Sequence, residues 1–378
     1  MNDKDIAVEL LIGGDTCPIN RTEAFALNKD KETIFNDLLP VFKESDLVIL
    51  NLECPVIEQS TPIVKGGPVL GAKSGVLKVF QESGISGFNL ANNHIMDHGD
   101  TGLNSTLKEC HGNGLLTFGA GQNLKEAEQI RVLNIKGVKI GFLGIAENEY
   151  SIASETKAGA NPIDIIRLYS QMQNVKSECN HLFVFVHGGN EHYAYPNPMQ
   201  KKLCRHLVDL GASAVICQHS HIAGCIEDYK DALIVYGQGN FLFDYPSKFS
   251  HWEEGFLVKF RILKDSVGYD LIPIYQTGGG AKLMEEGRKE VFLSSLEKRS
   301  EEVKDDTIVE EKWLEFCKER RDLYMSILLG HNRYLNYANR KFKIADKIYS
   351  KGALRNMSNI VRCESHREVL LTIGKKLL

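Results

Sequence analysis

Residues 89–99 read NLANNHIMDHG, and this stretch decides the fold because its polar side chains come directly after a short apolar strand. Gly87 to Ala91 has the composition of a buried strand, and Asn93, His94 and Asp97 follow it. In α/β sheets, ligands bind beyond the carboxyl ends of parallel strands, because a strand holds a short loop residue in place. The stretch therefore predicts one part of a binding site.

Four further predicted strands carry similar side chains at their ends. Asp15 follows the first strand in IGGDTC, Glu53 follows the second in ILNLECP, and His187 ends the strand in FVFVHGG. His219 and His221 follow the strand in AVICQHSH. A single polar residue at a strand end is more often a cap or a hydrogen-bonded structural residue. The five strand ends together predict a metal site.

The rest of the pattern predicts an α/β domain over residues 1–280. Short β-branched runs alternate with helical stretches, so each helix connects two strands and the sheet is at least partly parallel. After Gly278 to Gly280 the composition changes to Glu, Lys, Arg and Leu at helical spacing. Residues 281–378 are therefore predicted to form a separate helical extension.

Composition limits the classes of protein to consider. The chain has 378 residues, of which 43% are hydrophobic and 25% charged, which is ordinary for a globular protein. The start, MNDKDIAVELLIGG, is acidic where an export signal needs basic residues. Nine cysteines without a CxxC pair fit reduced thiols. We therefore expect a soluble protein with a cytoplasmic location.

Charge is distributed unevenly along the chain. Residues 331–378 hold eleven Lys or Arg against three Asp or Glu, which leaves +8 for this basic C-terminal region and −12 for the rest of a chain whose net charge is −4. Such a region fits the solvated face of terminal helices, but it could also contact a polyanion, a membrane surface or an acidic partner subunit. The acidic remainder and the lack of a recognition motif predict no nucleic-acid partner.

The order Asp, Glu, Asn-His, His, HxH resembles the pattern of the calcineurin-like metallophosphoesterases. The motifs GD, NLE, ANNHxxDxG, HGGxE, HxH and GNFxFD resemble those of the CapA group, the poly-γ-glutamate capsule-synthesis family. The resemblance covers residues 6 to about 275, and its most specific parts are Ala91 to Gly99 and Gly239 to Asp244. It implies a four-layer αββα sandwich of metallophosphoesterase type.

The resemblance also implies two divalent metal ions. Asp15 and His221 would hold one ion, Asn93, His187 and His219 the other, and Glu53 would bridge them. Mixed carboxylate, amide and imidazole ligands suit Mn²⁺, Zn²⁺ or Fe²⁺. Two such ions about 3.5–4 Å apart can share a hydroxide and stabilise both oxygens of an in-line displacement. The expected activity is hydrolysis of a phosphoester, an amide or a phosphoramide bond in capsule or surface-polymer synthesis.

Other residues receive roles from the same resemblance. His94 would protonate the leaving group as general acid, which suits a side chain with an ordinary pKa of about 6.5. Asp97 would fix the tautomer of His94, although a turn or cap role is an equal reading. Glu191 and Asn240 are candidates for contact with a small-molecule or polymer substrate.

One departure bears on the first metal site. Many metallophosphoesterases have Asp-x-His in the first motif, where this chain has Asp15-Thr16-Cys17. The capsule group generally lacks that histidine, so the first ion would be weakly held or absent. Cys17 could supply a thiolate ligand, but packing as a small core residue is the favoured reading.

Two alternatives to a metallophosphoesterase-type hydrolase remain open. A non-catalytic capsule assembly factor would keep the fold and use the basic C-terminal region to dock a capsule synthase or a membrane face. A barrel-type amidohydrolase would carry its HxH on the first strand, whereas His219 and His221 come late in this chain. Retention of His94, which has no role as a ligand, favours the hydrolase.

Overall fold

The computed structural model describes residues 7–247, 251–328, 333–363, 365–367, 369–370 and 373. The chain divides into two compact units, Met1–Glu310 and Glu311–Leu378. Its strands, in chain order, are β1 (Val8–Cys17), β2 (Leu47–Leu52), β3 (Val56–Ile57), β4 (Ala72–Lys73), β5 (Gly87–Asn89), β6 (Leu116–Phe118), β7 (Ala120–Gly121), β8 (Arg131–Ile135), β9 (Val138–Ala146), β10 (Gly159–Ala160), β11 (His181–His187), β12 (Ala214–Gln218), β13 (Ile226–Tyr229), β14 (Ala232–Val235), β15 (Asn240–Phe243), β16 (Glu254–Ile262), β17 (Val267–Thr277) and β18 (Gly280–Leu283).

The helices complete the list of elements. In chain order they are α1 (Asn20–Leu27), α2 (Lys31–Phe35), α3 (Leu39–Lys43), α4 (Leu77–Glu82), α5 (Gly99–Gly112), α6 (Leu124–Ala127), α7 (Ile165–Val175), α8 (Pro198–Asp209), α9 (Glu286–Glu302), α10 (Asp306–Leu328), α11 (Arg333–Phe342), α12 (Ile344–Ile348) and α13 (Lys351–Arg362), with a short 3-10 helix at Asn36–Leu38.

Two large sheets form the first unit. The first has the order β18-β17-β16-β1-β2-β5-β6, and β15 also pairs with β1. The second has the order β13-β14-β12-β11-β9-β8. Strands β1, β2, β5 and β6 run parallel in the first sheet, as do β9, β11, β12 and β14 in the second. The parallel strands adjoin one another, at one end of the first sheet and in the middle of the second, as the helix-between-strands pattern predicts.

The two sheets pack face to face around an apolar core. Phe183 of β11 contacts Phe260 of β16 with ring centroids 5.0 Å apart, and both rings are fully buried. The outer face of the first sheet packs against α1 to α5, and the outer face of the second against α7 and α8. This arrangement is a four-layer αββα sandwich, so the predicted fold class is confirmed.

The first strand is longer than predicted. The sequence predicts Asp15 after the end of this strand, but β1 continues through Gly13, Gly14 and Asp15 to Cys17 with an irregular register. A Cβ at Gly14 would lie 2.0 Å from the carbonyl oxygen of Gly239, so only glycine allows the chain leading into β15 to approach β1 this closely. Asp15 therefore lies within a strand and not in the loop after it.

The described residues of the C-terminal part are mostly helical, as predicted. Helix α9 belongs to the first unit, because Phe292 and Leu296 are buried in the core between the sheets. The first unit therefore extends past residue 280, and the assignment of residues 281–378 to a separate extension stays a prediction. None of the helices among the described residues is long and apolar enough to cross a membrane.

Candidate metal centre

The carboxyl ends of five strands meet at one edge of the sandwich. Asp15 lies near the end of β1, Glu53 directly follows β2, and His187 is the last residue of β11. The loop after β5 carries Asn93 and His94, and the loop after β12 carries His219 and His221. The structure therefore brings side chains from both sheets to one place, as the strand-end argument predicts.

Two groups of potential ligands share Glu53. In the first, one ligand atom each from Asp15, Glu53 and His221 lies within 4.8 Å of the others. In this group His221 Nδ1 is 3.5 Å from Asp15 Oδ2, and His221 Nε2 is 3.7 Å from Glu53 Oε1. The group offers two carboxylates and one imidazole, and it contains no cysteine.

The second group consists of Glu53, His187 and His219. His187 Nε2 lies 3.5 Å from Glu53 Oε1, and the rings of His187 and His219 are 4.8 Å apart between centroids. Asn93 adjoins this group, because its Oδ1 is 3.1 Å from His187 Nε2. All six predicted ligands are thus close together, and their assignment to two ions remains a proposal.

The buried carboxylates test whether these residues fit cations. Glu53 is fully buried, and neither of its oxygens has a hydrogen-bond partner among the residues that the structure describes. Burial raises the pKa of Asp15 to about 7 and the pKa of Glu53 well above its usual range, to which the charge of Asp15 adds. Buried carboxylates without a counter-charge are unstable. A divalent cation would supply that charge, so the residues at this site fit a bound cation.

The histidines suit the same role. Burial lowers the pKa of His219 to about 4 and the pKa values of His187 and His221 well below their usual range. The rings are therefore neutral near pH 7 and keep a lone pair for a metal. Cation binding would displace the proton that Asp15 holds below about pH 7.

The loop of the HxH motif has an unfavourable backbone. His219 and His221 have φ angles of +99° and +58°, which residues with a Cβ rarely adopt. The backbone N–H of His219 donates to Asp15 Oδ2 at 3.0 Å, which helps to hold the loop. Backbone strain of this kind clusters at functional sites, where the surrounding structure imposes it.

His94 and Asp97 form a hydrogen-bonded pair beside the centre. His94 Nδ1 lies 2.7 Å from Asp97 Oδ2, and the Asp97 carboxylate also accepts from Lys65 Nζ at 2.6 Å. The Lys65 and Asp97 side chains are 2% and 0% exposed. Removing one partner of such a buried ion pair costs about 3–5 kcal/mol. The pairing leaves the Nε2 atom of His94 available for another group.

The two residues predicted to contact substrate differ in their exposure to solvent. Glu191 is exposed, and its charge contributes to the raised pKa of Glu53, so the carboxylate lies near the centre. Asn240 is buried: its Oδ1 lies 3.0 Å from His221 Nδ1, and its Nδ2 donates to the carbonyl of Trp252 at 3.0 Å. The Asn240 amide is thus engaged within the protein, and its substrate contact stays a prediction.

Cys17 lies in the apolar core outside the first sheet. Burial and a hydrogen bond with Cys54 raise the pKa of its thiol well above the usual range. A thiol held neutral in this way is a poor metal ligand, since metals bind the thiolate. The geometry supports the core-packing reading of this residue.

Sequence reasoning missed two buried residues next to the centre. Asn51, on β2, donates from Nδ2 to Asp15 Oδ1 at 2.8 Å and lies 3.2 Å from His187 Nδ1. Lys65, in the loop before β4, pairs with Asp97 across 32 residues of chain. The apolar run of β2 could have flagged Asn51, because a strand buried on both faces is otherwise continuously hydrophobic and rarely carries an amide.

The fold and the site define an α/β sandwich protein with a buried carboxylate and imidazole centre that fits divalent cations. Residues 9–245 match the model of the family described as Bacterial capsule synthesis protein PGA_cap. The match covers well over half of the chain and includes every predicted site residue. The chain belongs to this family, which confirms the resemblance seen in the sequence motifs.

Individual relatives agree with this membership. The "Capsule biosynthesis protein CapA" of Bacillus anthracis is 29% identical over 259 residues, which are 66% of this chain and 62% of that protein. The chain therefore spans less than two thirds of that relative. The "PGA biosynthesis protein CapA" of Bacillus subtilis is 29% identical over 266 residues, covering 69% of this chain and 70% of the relative.

Two further matches are more distant. A "Probable polyglutamine synthesis accessory protein" of Mycobacterium tuberculosis is 27% identical over 187 residues, which cover 46% of this chain and 49% of that protein. Among solved structures, a hypothetical protein from Thermus thermophilus covers 71% of this chain and 100% of its own, with 14% identity and a TM-score of 0.45.

Proposed function

We propose that the protein is a hydrolase that depends on two divalent cations and acts in the synthesis of capsule or another surface polymer. The observation that carries this proposal is the pair of ligand groups that share Glu53. A fully buried carboxylate without a hydrogen-bond partner among the described residues is unstable unless a cation compensates it. Its position between two imidazole-bearing groups suits a bridging ligand.

The ligand assignment is part of the proposal. Asp15 and His221 would hold one cation, Asn93, His187 and His219 the other, and Glu53 both. The mixture of oxygen and nitrogen donors suits Mn²⁺, Zn²⁺ or Fe²⁺. When bound, such cations lower the pKa of a water nucleophile and polarise the bond that it attacks.

The protein's own residues would handle the proton on the leaving group. His94 lies close enough to the centre that its charge affects the pKa values of His187, His219 and His221. With Nδ1 directed to Asp97, the ring presents Nε2, from which it can protonate a leaving oxygen or nitrogen as general acid. Asp97 fixes the tautomer, and Lys65 supplies the counter-charge that lets Asp97 stay buried.

The names of the relatives and an exposed side chain near the metal centre support a substrate class. The Bacillus relatives are named for capsule and PGA biosynthesis, which supports a substrate in surface-polymer metabolism. The bond is a phosphoester, or an amide or phosphoramide, because the same centre can attack each of them. Glu191, exposed beside Glu53, is the side chain we assign to substrate contact.

The test is hydrolysis of bis(p-nitrophenyl) phosphate by protein stripped with a chelator and then reloaded with Mn²⁺. We expect no turnover after stripping and recovery after reloading, because the ligand groups supply no nucleophile of their own. Reloading with Ca²⁺ is the control, since Ca²⁺ favours an all-oxygen site. Turnover that survives complete stripping would contradict a cation-dependent hydrolase.

A second candidate is a non-catalytic assembly factor that docks a capsule synthase, or a membrane face, through the basic C-terminal region. The observation in its favour is the first ligand group, which has one histidine. Cys17 replaces the usual second histidine, and it lies in the apolar core and not in this group. The name of the mycobacterial relative, an accessory protein, is consistent with such a role. Protein that binds two cations but cleaves no phosphoester or amide would favour this candidate.

A further inference from the structure

Asn51 is a buried amide at the centre of the candidate metal centre. It is the fifth residue of β2, between β1 and β5, and it is fully buried. An amide inside an otherwise apolar parallel strand is costly unless its hydrogen bonds are made. Three contacts account for its polar atoms, and two of them reach predicted metal ligands.

Those two contacts reach different ligand groups. Asn51 Nδ2 donates to Asp15 Oδ1 at 2.8 Å, and Asp15 belongs to the first group. The same Nδ2 lies 3.2 Å from Nδ1 of His187, which belongs to the second group. The Oδ1 atom of Asn51 accepts from Asn89 Nδ2 at 3.1 Å, which fixes the orientation of the amide. One amide group is therefore shared by the two groups.

The hydrogen bonds of Asn51 also constrain the ring of His187. A neutral imidazole has one N–H, so if Nδ1 accepts from Asn51 then Nε2 carries the hydrogen. Nε2 indeed faces the Oδ1 atom of Asn93 at 3.1 Å, which can accept it. A cation can bind Nε2 only when the hydrogen is on Nδ1, and Nδ1 then needs an acceptor in place of the Asn51 amide N–H.

The needs of Asp15 and His187 are therefore opposed. Asp15 as a carboxylate needs the N–H side of the Asn51 amide, whereas a metal-bound His187 needs the oxygen side. An amide has one N–H side and one oxygen side. Turning the Asn51 amide to suit one ligand group therefore changes its hydrogen bond to the other group. Which end of an amide is nitrogen and which is oxygen is assigned from its hydrogen bonds. For Asn51, the hydrogen bond from Asn89 Nδ2 sets the present orientation.

We propose that Asn51 is a positioning residue that couples the two cation sites: in its present orientation the amide supports Asp15 and opposes cation binding at Nε2 of His187. This inference rests on the cation-binding part of the proposed function and not on hydrolysis. Asn240 provides the matched comparison, because it is an equally buried amide that contacts His221 of the first group. An amide that touches one ligand should affect one cation, and an amide that touches two should affect both.

The test is a calorimetric titration of metal-free protein with Mn²⁺, which yields the number of ions bound and their dissociation constants. Wild-type protein should bind two ions. Asn51→Ala should weaken the ion beside Asp15 by about 10–100-fold, the usual effect of losing the outer partner of a ligand, and should tighten the ion beside His187, whereas Asn240→Ala should change only the ion beside His221. The melting temperature of each metal-free variant shows whether it is folded.

Asn51→Asp tests the coupling with little change in shape. The new carboxylate repels Asp15 but accepts a hydrogen from His187 Nδ1, so the two constants should move in opposite directions. Constants that move together or stay unchanged in Asn51→Asp, or an Asn51→Ala variant that affects one ion, would overturn the coupling while leaving the proposed metal centre intact. Wild-type protein that binds no Mn²⁺ would overturn both.

Discussion

Replacing His187 by alanine is expected to abolish metal-dependent hydrolysis and to leave the second cation unbound. The residue ends β11, is 1% exposed, and directs Nε2 toward Glu53 and Asn93. Losing the outer partner of a ligand costs about 10–100-fold in metal affinity, so losing the ligand itself should cost more. Metal content by mass spectrometry and turnover of a phosphodiester measure the two effects.

The matched control for this variant is His181→Ala. His181 begins the same strand, is also buried, and uses its ring to contact Leu263 and Ser213 away from the centre. This variant should keep its cations and its turnover even if it melts at a lower temperature. Unchanged turnover in His187→Ala would refute the role assigned to that residue.

Replacing His94 by alanine is expected to have the opposite pattern, in which cations are kept and turnover falls by about 10²–10⁴-fold. The reason is that His94 contacts Asp97 and offers Nε2 to the substrate side, so that its loss removes a proton donor and no ligand. A substrate with a p-nitrophenol leaving group should suffer less than one with an alkyl alcohol, because the better leaving group needs no protonation.

His98→Ala provides the control within the same loop. His98 is also buried, but its Nδ1 accepts from the backbone N–H of Thr61 and its ring serves the loop structure. Turnover in this variant should keep the leaving-group dependence of the wild type. A His94→Ala variant that loses its cations, or that slows both substrates equally, would mean that His94 is not the general acid.

The metal ligands could be predicted because each one lies near or just after the end of a strand, which short stretches of sequence reveal. Within one sheet, neighbouring parallel strands end at the same edge, so side chains at the ends of β2 and β5 lie together, as do those at the ends of β11 and β12. The packing of the two sheets then brings the two sets together. The i, i+3 spacing of His94 and Asp97 likewise brings the two together within one loop. Physical constraints that act over a few residues are visible in a sequence.

Contacts between distant segments were not visible in the same way. Lys65 meets Asp97 across 32 residues, and Asn51 meets His187 across 136, so neither pair leaves a local signal. Asn240 begins β15, and its amide contacts His221 across 19 residues of chain, which the sequence likewise does not reveal. Helices α2 and α3 do not form one continuous helix, because Asn36 between them has a φ of +45°, which is outside the helical range.

The most direct test is a crystal structure of the protein grown with Mn²⁺, with anomalous diffraction to locate the ions. The proposal predicts two peaks about 3.5–4 Å apart, one beside Asp15 and His221 and the other beside His187 and His219, with Glu53 touching both. A map without peaks at these side chains, or with peaks only elsewhere on the protein, would contradict the account.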